Sequence, residues 1–345
     1  MAADLGRADV LVGNLESVLL SHPYSPLGGK AKLISSTVAV ESLKSAGFDV
    51  LTFANNHIMD AGQEGFLECL RAIREAGFQV TGAGADLADA RRPAWVEAGG
   101  LSFKFFAYSY ALGQTAGSRQ AGCCEARLDR ILDDVAEFSR PGDIRVVTLH
   151  MDAEFQETPA PDRIALCRTL AESGVQAILC HHPHVPQGVE VHHGAVIAYS
   201  LGNFVFPMSS YMLENSPDNA RSFHLHIDFN DDGPVRVRIE PVLIDAAGRP
   251  LPAEGRERED LLELVRQRSE LLQDPQAVRT RYRDMTGKFT RQVFKDIYWA
   301  IGERDWQKVR LFLASFRITP TKRKWVLHHL TGSIREGLTA PFRRE

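Results

Sequence analysis

Short apolar runs alternate with stretches whose apolar positions recur every three or four residues through the first half of the chain. That alternation predicts strands interleaved with amphipathic helices. ADVLVG (8–13) and DVLTFA (49–54) read as buried strands; ESLKSAG (41–47) and EGFLECLRAIREAG (64–77) read as helices stopping at Gly47 and Gly77. The series continues through FQVTGAG (78–84), the aromatic run LSFKFFAYSYA (101–111), a helix over 128–138, the strand DIRVVTLH (143–150), a helix over 163–174 and the strand QAILC (176–180). Then AVIAYSLGNFVF, SFHLHIDFN and PVRVRIEPVLI alternate with period two, the last two joined by a DDG turn, which predicts a β-meander. The expected fold class is therefore mixed α/β, with parallel units first and antiparallel strands after them.

Pro250 and Pro252, followed by AEGRERED, mark a boundary between a body at 1–250 and an extension at 251–345. In the extension, EDLLELVRQRSELL reads as a charged surface helix, and 276–345 as several short amphipathic helices carrying Trp299, Trp306 and Trp325. No internal repeat or low-complexity segment interrupts the chain.

Charge divides along the same line. The chain carries a net −4, but Pro275 to Glu345 holds 16 Lys and Arg against 6 Asp and Glu, so an acidic body precedes a basic tail. The plain reading of that tail is solvated helix faces whose long cationic stems cover apolar surface. Its functional reading is contact with a membrane surface, an acidic polymer or a synthesis complex. Nucleic acid is not expected, because no recognition motif accompanies the charge. The first residues lack the charged start and apolar middle of a secretion signal, and no apolar run reaches membrane-spanning length, so the chain as written reads as cytoplasmic. Five cysteines (Cys69, Cys123, Cys124, Cys167, Cys180) without C-x-x-C spacing are expected to be reduced and structural.

The chemistry collects where strands end, which is where ligands bind in α/β sheets. Asn14 and Glu16 follow the first strand; Asn55, Asn56, His57 and Asp60 follow the second; His150, Asp152 and Glu154 follow RVVTL; His181, His182 and His184 follow QAIL; Asn203 follows VIAYS. Any one of these histidines is most simply a hydrogen-bonded core or surface residue. Their recurrence at successive strand ends points instead to a shared imidazole–carboxylate site, the ligand set of zinc, manganese and iron. An extended His182-Pro183-His184 would put both rings on one face, with His181 pointing the other way in a supporting role.

With ADVLVGNLES, AGFDVLTFANNHIMDAGQEGF, AGFQVTGAG, VVTLHMDAEFQ, SGVQAILCHHPHVPQGVEV and GAVIAYSLGNFVF in order over residues 8 to about 206, the chain resembles the CapA-type proteins of poly-γ-glutamate capsule synthesis, within the calcineurin-like metallophosphoesterase superfamily. That resemblance implies two packed β-sheets flanked by helices and a site for two divalent ions, manganese, zinc or iron. It places Glu16 as the bridging carboxylate, Asn56, His150 and His182 at the second ion, and His184 at the first. It gives His57 the place of the histidine that assists the leaving group. Asn14, Asn55, Asp60, Asp152, Glu154, His181 and Asn203 are left as supporting or substrate-facing residues.

Two departures stand out. The resemblance implies an earlier strand ending in Gly-Asp that supplies a ligand to the first ion, whereas nothing before Ala8 offers one, and neither Asp4 nor Asp9 stands at a strand end. A start codon set too far downstream is the favoured expectation, because loss of a central strand would strand backbone groups and leave a raw edge; a restored amino terminus could then carry a membrane anchor. Asp152 stands where the resemblance implies glycine, and is expected to crowd the site or add a ligand. The implied activity is a hydrolase-type reaction on a phosphorylated, γ-glutamyl or peptide anionic substrate in capsule polymer or peptide biosynthesis. The alternatives are a peptide epimerase and a non-catalytic accessory module with a degenerate metal site. Gly82-Ala83-Gly84 is read as a helix-to-strand turn rather than a phosphate cradle.

Overall fold

The computed structural model of the chain describes residues 5–22, 32–110, 113–306 and 310. Asp4 and Trp325 lie outside them. The chain opens with β1 (Val12–Asn14), β2 (Val18–Leu20), β3 (Ile34–Ser36), α1 (Val38–Ser45), β4 (Val50–Thr52), α2 (Gly62–Glu75) and β5 (Gln79–Thr81). It continues through β6 (Ala83–Gly84), α3 (Leu87–Ala90), β7 (Ala94–Ala98), β8 (Leu101–Ser109), β9 (Gly122–Cys123), α4 (Leu128–Phe138), β10 (Ile144–His150), α5 (Pro161–Glu172), β11 (Ala177–His181), β12 (Val189–His192) and β13 (Ala195–Ala198). Last come α6 (Ser210–Asn215), β14 (Arg221–Asn230), β15 (Gly233–Ile244), β16 (Pro250–Pro252), α7 (Gly255–Leu271) and α8 (Pro275–Gly302).

β1, β4 and β5 form a parallel sheet, and β12-β13-β11-β10-β8-β7 form a six-stranded one whose four central strands run parallel. The two sheets share an apolar layer in which Val50 of β4 and Val12 of β1 meet Phe105, Val146 and Leu179, closed by Leu225, Ile227 and Phe229 of β14. Helices cover the outer faces. Phe66, Cys69, Leu70 and Ile73, spaced three and four apart on α2, pack with Phe53 and Leu19; α4 and α5 cover the larger sheet with Ile131, Ile164 and Leu170. The mixed α/β, two-layer architecture is thus the expected one.

The helix stops hold as well. Gly77 has φ +94°, its amide bonds the Arg74 carbonyl, and the Phe78 amide reaches back to Ile73. This left-handed cap turns the chain directly into β5.

Three expectations change. AVIAYSLGNFVF does not begin the meander: its Ala195–Ala198 segment enters the larger sheet parallel to β11, while β14, β15 and β16 form a separate antiparallel sheet. A buried strand reads as a continuous apolar run, and AVIA is one. The described start of the tail is one 28-residue helix, α8, instead of several short ones. Strands β7 and β12, too short to show a period, add to the strands the pattern predicts.

The boundary prolines sit on an edge strand, where a missing donor costs least. Beyond them α7 packs onto the body through Leu261 and Val265, against Phe223. Arg268 is buried, donating to the Pro186 carbonyl at 2.6 Å and to Asp218 at 2.6 Å. All five cysteines are buried and free, with the Cys167 and Cys180 sulfurs 3.7 Å apart. No described helix is long and apolar enough to cross a membrane.

One buried charge network gives the fold a pH dependence. Glu190 on β12 takes two hydrogen bonds from Arg168 of α5, at 2.9 and 2.7 Å, and one from the Tyr199 hydroxyl at 2.7 Å. Burial alone would raise its pKa, but the Arg168 and Tyr199 hydrogen bonds outweigh it and hold the carboxyl below its usual range. A carboxylate with a depressed folded-state pKa contributes stability that is present above its unfolded value, 4.5, and lost as pH falls through the folded one. In urea titrations between pH 7 and pH 3, Glu190→Gln should therefore be less stable than the parent at pH 7 and converge with it at the acid end.

Candidate metal centre

The parallel strands bring their carboxyl ends to one edge of the sandwich. Asn14 ends β1 and Glu16 follows it; Asn55, Asn56 and His57 leave β4; His150 ends β10; His181 ends β11, with His182 and His184 in the turn beyond. The pairing of Asn14 with Thr52, and of His150 with His181, fixes the depth at which these side chains emerge.

They converge on a single oxygen. Glu16 Oε1 lies 3.5 Å from His150 Nε2, 3.7 Å from His184 Nε2 and 3.9 Å from His57 Nε2. It is buried and has no hydrogen-bond partner, while Oε2 accepts from Asn14 Nδ2 at 3.2 Å. One ligand atom each from Glu16, His150 and His182 fall within 4.8 Å of one another. Asn56 Oδ1 is 2.7 Å from His150 Nε2, and the His150 and His182 ring centroids are 4.9 Å apart. A buried carboxylate oxygen without a donor is costly, and a cation is what such a donor set is built to satisfy.

The electrostatics agree. Burial raises the Glu16 pKa, partly offset by His184 and His57. Burial, then the neighbouring imidazoles, pushes His150 well below its ordinary value and His182 down to about 3; burial alone takes His181 down to about 4. Those rings are neutral at physiological pH, the form that binds metal. His57 moves the other way. Burial would lower it, but the 2.8 Å hydrogen bond between its Nδ1 and Asp60, with the charges of Glu16, Asp60 and Glu154, raises it overall.

The supporting residues divide. Asn55 fixes the loop, its amide bonding the Leu15 carbonyl at 2.8 Å and its Oδ1 accepting the His57 amide at 3.0 Å. Asp60 orients His57 and also accepts the Leu33 amide. Asn203 is buried, with Oδ1 2.8 Å from His184 Nδ1 and its amide on the His184 carbonyl, so it sets that ring's orientation. Glu154 is exposed beside the cluster, where its charge raises the pKa of Glu16 and His57. His181 neighbours His150 and stays out of the converging group.

Asp152 neither crowds the centre nor joins it. Its carboxylate turns back to accept the Ala153 and Ala160 amides at 3.0 and 2.9 Å, and burial pushes its pKa up to about 6 against the pull of Arg163. The backbone explains why glycine is the expectation there, since Asp152 has φ +91°. His182-Pro183-His184 is not extended either: His182 has φ +101° and His184 φ +62°. The two rings still come together, with centroids 6.1 Å apart, through a strained turn in place of strand geometry.

Sequence reasoning missed five contributors. Asn219, buried, gives its carbonyl to Asn203; Gln114 donates to the Asn56 carbonyl; Phe155, Phe206 and Tyr211 line the His184 side. They sit in loops or in helical turns of four to six residues, too short for a period to single them out.

The sequence profile described as "Bacterial capsule synthesis protein PGA_cap" matches residues 1–208. "Capsule biosynthesis protein CapA" of Bacillus anthracis is 29% identical over 257 residues, covering 72% of this chain and 61% of that protein. "PGA biosynthesis protein CapA" of Bacillus subtilis is 31% identical over 244 residues, covering 70% and 63%. The chain thus spans about three fifths of the length of these relatives. Among solved structures, a hypothetical protein from Thermus thermophilus aligns with a TM-score of 0.46 and 16% identity, over 70% of this chain and 90% of that one. Most of the body, from its first strand through the turn that carries Asn203, lies within the profile, and the chain belongs to the bacterial capsule synthesis PGA_cap family.

Proposed function

We propose that the chain is a metal-dependent, hydrolase-type enzyme of capsule polymer biosynthesis in which Glu16, with the residues around it, would hold two divalent ions, manganese, zinc or iron. Asn56, His150 and His182 would hold one ion and His184 the other. The observation that carries this reading is the buried, unpartnered Glu16 Oε1 facing three imidazole nitrogens at 3.5–3.9 Å. Such a pair of ions supplies Lewis acidity and an activated water at neutral pH.

The chain's own groups do the rest. Asp60 anchors His57 at Nδ1 and leaves Nε2 facing the centre. With its raised pKa, His57 is suited to hold a proton there and deliver it to a departing oxygen or nitrogen. Asn203 locks His184 and Asn14 steadies Glu16. The substrate class proposed is a phosphorylated or γ-glutamyl anion, the second in keeping with the PGA biosynthesis named for the Bacillus subtilis relative.

Metal analysis together with hydrolysis of bis-p-nitrophenyl phosphate and γ-glutamyl-p-nitroanilide tests the proposal. Two metal equivalents are expected at this centre, lost in His150→Ala and His182→Ala, with metal-dependent turnover of one substrate. Bound metal without turnover of either would leave a binding module; no bound metal would overturn the proposal.

A further inference from the structure

Away from the central site, Glu172 at the end of α5 meets the hairpin between β12 and β13. His192 Nε2 lies 2.9 Å from Glu172 Oε1, and the His192 and His193 rings are adjacent, centroids 4.8 Å apart. One ligand atom from each of the three residues falls within 4.8 Å of the others. Glu172 and His193 are exposed and His192 half-buried, so an ion could reach them from solvent.

Two features of the backbone bear on the group. Glu172 is the last residue of α5, where the helix dipole disfavours an anion, and no basic residue occupies that last turn. His193 has φ +49° and Gly194 φ +78°, the two positive values of a tight hairpin turn whose first position favours Asn, Asp or Gly. The two imidazoles, adjacent at the hairpin, and the carboxylate at the end of α5 thus come together from two different elements.

We infer that Glu172, His192 and His193 form a second, surface metal site for a borderline transition cation such as zinc, clamping the β12–β13 hairpin to the end of α5. Two imidazoles and one carboxylate match the protein donors of open zinc sites, which keep a position for an outside ligand. Tetrahedral ligands at zinc bond lengths lie about 3.3 Å apart, a spacing the group, with its ligand atoms within 4.8 Å of one another, approaches. Imidazole donors select against magnesium and calcium. Because β12 is the edge strand of the larger sheet, occupancy would also fasten that edge.

Equilibrium dialysis of the full chain against zinc chloride tests the site without reference to activity. His193→Asn keeps a residue suited to the turn and removes one ligand; Glu172→Gln removes another. Each should bind one zinc equivalent fewer than the parent at micromolar zinc, or bind it at least about tenfold more weakly, the lower bound for a lost partner at a metal site. Glu16→Gln should retain the equivalent that His193→Asn loses, so loss of the central ions and loss of this one are read separately. Parent-like stoichiometry and affinity in both His193→Asn and Glu172→Gln would overturn the inference.

Discussion

Glu16→Gln will lower the affinity of the central site for divalent ions by at least about 100-fold, and activity will fall with it, since even an outer hydrogen-bond partner of a ligand is worth 10- to 100-fold. The same substitution should have the opposite effect on the metal-free protein. The folded-state pKa of Glu16 is raised, chiefly by burial. For an acid with a raised folded-state pKa, stability is greatest when the group is protonated and declines as pH rises through that pKa. Above that raised pKa the ion-free parent carries an ionised carboxylate whose Oε1 has no partner, and a neutral amide removes that cost. In chelator, then, the variant should melt above the parent; with metal restored, the order should reverse. A single thermal-melt series with and without chelator reads both, and a variant that melts below the parent in chelator would contradict the account of Glu16 as an oxygen kept for a cation.

Arg268→Met should cost about 3 kcal/mol, the low end of what removing one partner of a buried ion pair costs. The guanidinium is 6% exposed and binds Asp218 and the Pro186 carbonyl, so its loss leaves a carboxylate and a carbonyl short of a donor in the interior. The cost stays at the low end because Arg221 still reaches Asp218 at 3.0 Å. The packing is close on this side of the molecule: a Cβ at Gly188 would stand 2.7 Å from the Arg268 carbonyl oxygen. Urea unfolding measures the loss, and adding Asp218→Asn to the variant should recover part of it. Equal stability of parent and Arg268→Met would mean that α7 contributes little to the body it covers.

Much of this is legible in the chain. Strand-end chemistry locates Glu16, Asn56, His57, His150, His182 and His184, because a parallel sheet sends each strand's last residues to the same edge. Period and caps give the helices of the body, since α2 must present Phe66, Cys69, Leu70 and Ile73 to one side. What escapes depends on contacts between residues far apart in sequence. Asp152, standing where the resemblance implies glycine, is expected to crowd the site or add a ligand, yet its oxygens are taken by two loop amides, at 153 and 160. At 182–184 an extended chain would share one face between the two rings, but the backbone instead turns through positive φ at His182 and His184. Strand β13 reads as part of the meander because period two and a run of small apolar residues look alike over four positions.

The left-handed backbone at Asp152, His182 and His184 has a consequence for how this protein evolves. Glycine adopts those angles without steric cost, so selection for heat resistance alone would drift toward glycine at all three positions. At 152 such a change leaves the central ligands in place, whereas at 182 or 184 it deletes an imidazole. Heat-adapted descendants that retain the central cluster should consequently relax the first position and keep the strain at the other two.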